Sequence, residues 1–257
     1  MLTEATTQRS PIGLAITADE YRLFQEFLQQ ACGIRLGEGK EYLVTSRLNS
    51  LLAEFRIASF SILLQHLTTP SQRRLKVRVI DAMTTNETFW FREIGHFSVL
   101  TDKILPDLER QRGGPIRIWS AACSSGQEPY NISMVAQDYQ SRLSAAGRRE
   151  VEILATDISS KMLEHARRGI YCGIATDRGL TAEQQRRYFT QKEGCLEVRP
   201  EIKRRVRFRE LNLNSGYQAL GRFDVIFCRN VLIYFSSELK RDILERLTRT
   251  LNPGGYL

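Results

Sequence analysis

IRIWSAACSSG at residues 116–126, with QEPY behind it at 127–130 and VEILATD at 151–157, reads as a strand, a turn of small residues, a helix start and a second strand ending on Asp157. Gly126 permits a turn that other residues resist, and Pro129 needs no amide partner in the first turn of a helix. A carboxylate at the carboxyl end of a neighbouring parallel strand is placed to accept hydrogen bonds from ribose hydroxyls, so a nucleoside cofactor is the leading reading. The alternative is an ordinary βαβ unit in which Asp157 caps the helix of SSKMLEHA. The turn has one glycine rather than GxGxxG, and Glu128 stands where a diphosphate would come. An anion there disfavours phosphate and favours an ammonium, which points to S-adenosylmethionine.

Working outward, helix and strand patterns alternate from Phe97 on, which argues for a parallel sheet with helices on both faces. Strands are expected at 116–120, 151–156, 206–211 and 223–228, and helices around 97–110, 130–143, 161–168 and 238–250. Residues 173–201 fit neither pattern; a helical piece near 183–189, the turn Glu193-Gly194 and the strand-like CLEV suggest an insertion. Before the sheet, four amphipathic helices are expected. The first has Thr17 and Glu20 in capping-box spacing and stops at Gly33. The second spans about 40–55, the third carries Phe60, Leu63, Leu64 and Leu67, and the fourth runs from about 71 to Met83. These make a small bundle. Residues 1–15 read as a disordered tail.

The chain is 42% hydrophobic with no apolar run long enough to span a membrane, and MLTEATTQRS lacks the pattern of a signal peptide. A cytoplasmic protein without direct membrane insertion is expected. The five cysteines are scattered and form no CxxC pair, so reduced thiols are expected rather than a disulfide framework or a metal site. A net charge of +8 predicts attraction to acidic surfaces. In Arg205, Arg207 and Arg209, alternating with Val206 and Phe208, a solvated strand face is the simpler reading.

Three further segments, NETFWFRE (86–93), ELNLN (210–214) and FCRNVLIYF (227–235), join the turn and the ATDIS stretch. Together, in this order, they closely resemble the chemotaxis receptor glutamate O-methyltransferases, the CheR family, from the first helix to the last residue. The resemblance implies a Rossmann-like S-adenosylmethionine-dependent methyltransferase sheet at 96–257, a small β-subdomain inserted at 173–204, an N-terminal helical bundle at 16–83 and a linker at 84–95. It implies methyl transfer to receptor glutamates, with S-adenosylhomocysteine as product and the cytoplasmic helical domain of chemoreceptors as partner. A monomer is expected.

Carried across motif by motif, the resemblance gives Asn86, Thr88 and Arg92 as cofactor contacts of the linker, with Arg92 on the methionyl carboxylate and near the reacting centre. It gives Glu128 on the methionyl ammonium, Asp157 on the ribose, Asn212 and Leu213 beside the adenine, Arg229 and Asn230 in the pocket wall, and Tyr234 near the transferring methyl. A glutamate acceptor is already ionised near neutral pH, so no general base is needed. Charge is lost on the way to the transition state, so exclusion of water and alignment should supply most of the rate. Phe89, Trp90, Phe91, Tyr234 and Phe235 suit that task.

One rival is a nucleic-acid methyltransferase or binder, and a second is a catalytically silent domain that only senses the cofactor or docks a partner. The (D/N)PP(Y/F) strand end of amino-directed enzymes is replaced by CRNVLIYF, and the Pro-Cys of cytosine-carbon enzymes is missing, so no nucleic-acid partner is expected. Relatives that grip receptor helices carry several arginines on the second bundle helix; here Arg47 and Arg56 remain. TQKEGCL (190–196) looks short for the loop that tethers some relatives to a receptor pentapeptide, so independence of such a tether is expected. NPGGYL (252–257) reaches only the family's PGG turn, and the closing strands beyond it are expected to be absent.

Overall fold

A computed structural model describes residues 14–111, 113–144 and 148–257. Nearly all of the tail expected at 1–15 lies outside the described residues. The chain divides into two compact units, one ending at Thr84 and one spanning Thr85–Leu257.

The first unit holds α1 (Ala18–Cys32), α2 (Glu41–Glu54), α3 (Phe60–Thr68) and α4 (Arg73–Met83). The Thr17–Glu20 capping box forms in both directions, and Gly33 closes α1 at φ 80°. The apolar stripes face inward, burying Phe24, Leu28, Val44, Leu48, Leu52, Leu63 and Val79. Arg47, one of two arginines considered for substrate docking, donates to the Met83 carbonyl at 2.7 Å and so satisfies the end of α4.

The second unit begins with the linker and one helical rod made of α5 (Gly95–Val99), a π-helical turn (Leu100–Ile104) and α6 (Leu105–Arg110). Leu105 N–H reaches the Leu100 carbonyl, and the wide turn admits Pro106. Then come β1 (Ile116–Ala121), α7 (Gln127–Ser141), β2 (Val151–Asp157), α8 (Ser160–Arg168), β3 (Ile170–Cys172), α9 (Ile174–Asp177), α10 (Ala182–Tyr188), β4 (Phe189–Lys192), β5 (Cys195–Val198), α11 (Pro200–Lys203), β6 (Val206–Glu210), β7 (Phe223–Cys228), α12 (Ser237–Arg249) and β8 (Leu251–Tyr256). The main sheet has the order β6-β2-β1-β7-β8 with every pairing parallel. On one face Ile116, Ile118, Val151, Ile153, Val225 and Phe227 pack with the rod and α7. On the other, Trp119 meets Tyr217 and Phe223, and Arg246 of α12 stacks on Tyr217.

Three features depart from the sequence reading. NPGGYL does not end in a free turn: it belongs to β8, paired with β7 across an irregular register. The inserted sheet has the order β3-β5-β4 and recruits Ile170–Cys172, which precede the expected boundary. Its register sets Cys172 opposite Cys195, and the two form a disulfide, contrary to the expectation of five reduced thiols. Their 23-residue separation hid the pairing. The remaining cysteines, Cys32, Cys123 and Cys228, are free thiols. β4 and β5 are joined through Glu193 and Gly194, both at positive φ (47° and 77°), a two-residue hairpin turn with no lengthened loop.

Candidate active site

The carboxyl ends of β1, β2, β6 and β7 lie side by side, and the turn after β1 is the floor of the site. Ala122, Ser124 and Gly126 take positive φ (61°, 50° and 94°), which folds the turn tightly before α7. Gly126 serves packing as well as turning: a Cβ there would lie 2.8 Å from Ala166 Cβ and 3.2 Å from Tyr171 Oη. The missing side chain therefore lets α8 and the inserted sheet close beneath the turn, and the Tyr171 hydroxyl donates to the Ser125 carbonyl at 2.6 Å.

Asp157 is buried at the end of β2 and clamps two loops. Its carboxylate accepts from Ser124 N–H at 2.7 Å and from Ser159 N–H at 2.9 Å. It does not cap α8, because the Ser159 hydroxyl does that by accepting from Met162 N–H. Ser124 also donates its hydroxyl to the Asn86 carbonyl at 2.9 Å, which draws the linker over the turn. Leu211 N–H donates to the Asp157 carbonyl, so Asn212 and Leu213 follow immediately beside the acid. Asn212 folds its side-chain oxygen onto Asn214 N–H, and Leu213 is buried.

At the other end of the turn, Glu128 lies in the first turn of α7. It accepts from the Ser120 hydroxyl at 2.8 Å and from Arg229 Nη1 at 2.9 Å. Burial pushes its carboxyl above the ordinary carboxylate range, against the pull of Arg229 and Ser120. Arg229 carries the chain onward, donating to the Arg92 carbonyl at 2.6 Å and to Glu93 at 3.2 Å, while Asn230, at φ 58°, donates to the other Glu93 oxygen. The Asn230 and Arg229 donors hold the Glu93 carboxyl below its ordinary range. Arg92 donates to the Glu87 carbonyl at 3.2 Å and lies over the Phe89 ring. Burial first, then Asp157 and Glu128, pushes the Cys123 thiol far up, and burial with Glu128 raises Cys228 to about 12. Neither is a ready nucleophile.

Of the residues anticipated from sequence, Glu128, Arg229, Asn230 and Arg92 are linked through one hydrogen-bonded chain, and Asn86, Asn212 and Leu213 gather around the Asp157 end of the turn. Thr88 and Tyr234 are half-buried, Tyr234 in the short helical turn Leu232–Tyr234. Trp90 departs from expectation. Its indole donates to the Ala175 carbonyl and its ring packs edge-on against Tyr171 and Phe189, so it joins the linker to the insertion and is no wall of the site. Ser120, Ser124 and Glu93 were missed as site residues. Glu93 alone carried a signal, as a charge beside Arg92.

The donor set fits S-adenosylmethionine. The buried Glu128 carboxylate offers an acceptor suited to a cationic group, and the buried Arg229 Nε has no partner of its own.

Family models describe the same two pieces. "CheR methyltransferase, SAM binding domain" matches residues 86–257 and "CheR methyltransferase, all-alpha domain" matches 19–84. The chain is 50% identical to chemotaxis protein methyltransferase 1 of Pseudomonas aeruginosa over 93% of its own length and 87% of that protein. It is 37% identical to the chemotaxis protein methyltransferase of Escherichia coli over 95% and 84%. Among solved structures, the glycopeptide N-methyltransferase MtfA with sinefungin overlays 66% of this chain and 49% of that one at a TM-score of 0.39 and 13% identity, too loosely to bear on function.

Proposed function

The chain belongs to the CheR family of chemotaxis methyltransferases, and on that premise we propose that it methylates glutamate side chains in the cytoplasmic helical domains of chemoreceptors, tuning sensory adaptation. S-adenosylmethionine is its cofactor, supplying an activated methyl that leaves sulfur for a carboxylate oxygen. The observation that carries the reading is the chain Ser120–Glu128–Arg229–Glu93–Asn230, which closes one end of the turn while Asp157 closes the other.

In this reading Glu128 meets the cofactor's ammonium and Asp157 its ribose, with Asn86, Thr88, Asn212, Leu213, Arg229 and Asn230 completing the pocket. Arg92 holds the methionyl carboxylate, and Arg92 with the Tyr234 hydroxyl aligns the acceptor. The acceptor needs no deprotonation, so no general base is called for; Glu128 is tied by two donors and the nearby thiols Cys123 and Cys228 are held protonated. Phe89 and Phe235 help to exclude water. The protein acts as a monomer in the cytoplasm. Among the described residues no helix is long and apolar enough to cross a membrane. The two-residue turn between β4 and β5 motivates independence of a pentapeptide tether, which a measurable affinity for such a peptide refutes.

The test is incubation with labelled cofactor and candidate receptor domains. Base-labile label on glutamates is expected, and Arg92→Ala and Tyr234→Phe should lower transfer. Tight binding of S-adenosylhomocysteine without transfer to any receptor domain refutes the substrate, and wild-type rates in both variants remove those residues from the catalytic list.

A further inference from the structure

The insertion sends one arginine back over the linker. Arg178, just after α9, lies 3.8 Å above the Phe89 ring and donates to the Glu87 carboxylate at 3.2 Å. Arg92 approaches the same ring at 5.6 Å and the Glu87 carbonyl at 3.2 Å. Two guanidiniums thus converge on one aromatic ring and one residue. Among the described residues the acid paired with Arg92 is Glu93, 3.9 Å away and drawn off by Arg229 and Asn230.

Arg178 is not a loose surface side chain. Ala175 is bonded to the Trp90 indole, and Gly179, at φ 91°, lies so close to the linker that a Cβ would stand 1.9 Å from the Trp90 carbonyl oxygen. The backbone on both sides of Arg178 is therefore fixed to the linker. The ring beneath it orders a guanidinium plane that matches a carboxylate. Its partner is weakly held: the Arg178 and Glu87 side chains are 55% and 62% exposed and share a single contact, a pair worth little in water. Beside them Ile174 is 83% exposed, an apolar shoulder next to a doubly cationic spot.

We propose that Arg178 docks the acidic acceptor segment, with the Glu87 carboxylate as a built-in placeholder that an incoming substrate carboxylate displaces. This rests on the glutamate-methylating reading above. Arg178 recognises a carboxylate near the acceptor and leaves the methyl transfer itself to the groups at the turn.

Initial rates with a receptor cytoplasmic fragment as the varied substrate, alongside calorimetry with S-adenosylhomocysteine, test it. Arg178→Ala should raise KM for the fragment about fivefold, with cofactor affinity within about twofold of wild type, and should flatten the rise of KM with salt. Arg178→Lys, which keeps the charge but not the plane, should fall between. Glu87→Gln should lower KM. An unchanged KM in Arg178→Ala, or cofactor affinity weakening in step with KM as for a mere brace of the linker, overturns the proposal while leaving the glutamate reading intact. A wild-type protein that binds S-adenosylhomocysteine yet methylates no receptor fragment overturns both.

Discussion

Replacing Arg229 with methionine removes the cation from a pair whose side chains are only 11% and 15% exposed and whose atoms stand 2.9 Å apart. With about 4 Å between charge centres and an effective dielectric near 20, the attraction is about 4 kcal/mol, in line with the roughly 3–5 kcal/mol that follows when one member of a buried pair is deleted. Glu128 is already raised by burial, and Arg229 is the largest influence opposing that rise, so the variant's carboxyl moves further up. A raised carboxyl means that the folded state holds its proton more tightly than the unfolded chain. Stability then falls as pH climbs through the carboxylate range to the folded value, and the cost is absent where both states are protonated. Glu93 adds to the same trend, because its lowered carboxyl contributes stability only above the carboxylate range and Arg229 is one source of that lowering. The variant should therefore be about 3 kcal/mol less stable than wild type at pH 7.5 and only about 1 kcal/mol less stable near pH 4.5, the remainder being the lost bond to the Arg92 carbonyl. Both tryptophans, Trp90 and Trp119, are buried in the second unit, so urea unfolding followed by their fluorescence reports on that unit. Adding Glu128→Gln to Arg229→Met should recover much of the loss. A deficit of equal size at both pH values, or no recovery in the double variant, refutes the reasoning.

Three shorter tests follow. Glu128→Gln should weaken S-adenosylhomocysteine about 10- to 100-fold by calorimetry, the loss of one charge-assisted contact, and unaltered affinity removes Glu128 from the cofactor site. Gly179→Ala should cost about 3 kcal/mol or more and shift the Trp90 emission, because the added carbon meets backbone in a conformation that L residues avoid; a native-like variant denies the close approach. Opening the Cys172–Cys195 bridge with a phosphine should cost about 3 kcal/mol for its 23-residue separation, and Cys172→Ser with Cys195→Ser should match it. Since a glutathione pool keeps such pairs reduced, that lower value is what a cytoplasmic protein would live with. Melting points insensitive to reductant would show that β3 and β5 hold without the bond.

What the sequence disclosed and what it withheld divide along the range of the interactions. Helix limits and four of the five strands of the main sheet, all but β8, were legible because they rest on local causes: the Thr17–Glu20 capping box, the αL glycine at Gly33, and β-rich runs at 116–121 and 223–228. The cofactor turn was legible for the same reason, since its positive φ values demand small residues within one short stretch. What depended on distant partners stayed hidden. Cys172 and Cys195 are unremarkable until β3 pairs with β5, and three residues at 170–172 show no period that could announce a strand. Trp90 read as a site aromatic because its neighbours in sequence are, yet its burial is decided by Ala175 and Phe189 across the insertion. Glu93 adjoins Arg92 in sequence, yet Arg229, 136 positions later, holds its carboxylate more closely. That last exchange matters for the chemistry. By binding Glu93 and the Arg92 carbonyl at once, Arg229 leaves the Arg92 guanidinium only a loose 3.9 Å contact with an acid, free to face a substrate or cofactor carboxylate instead.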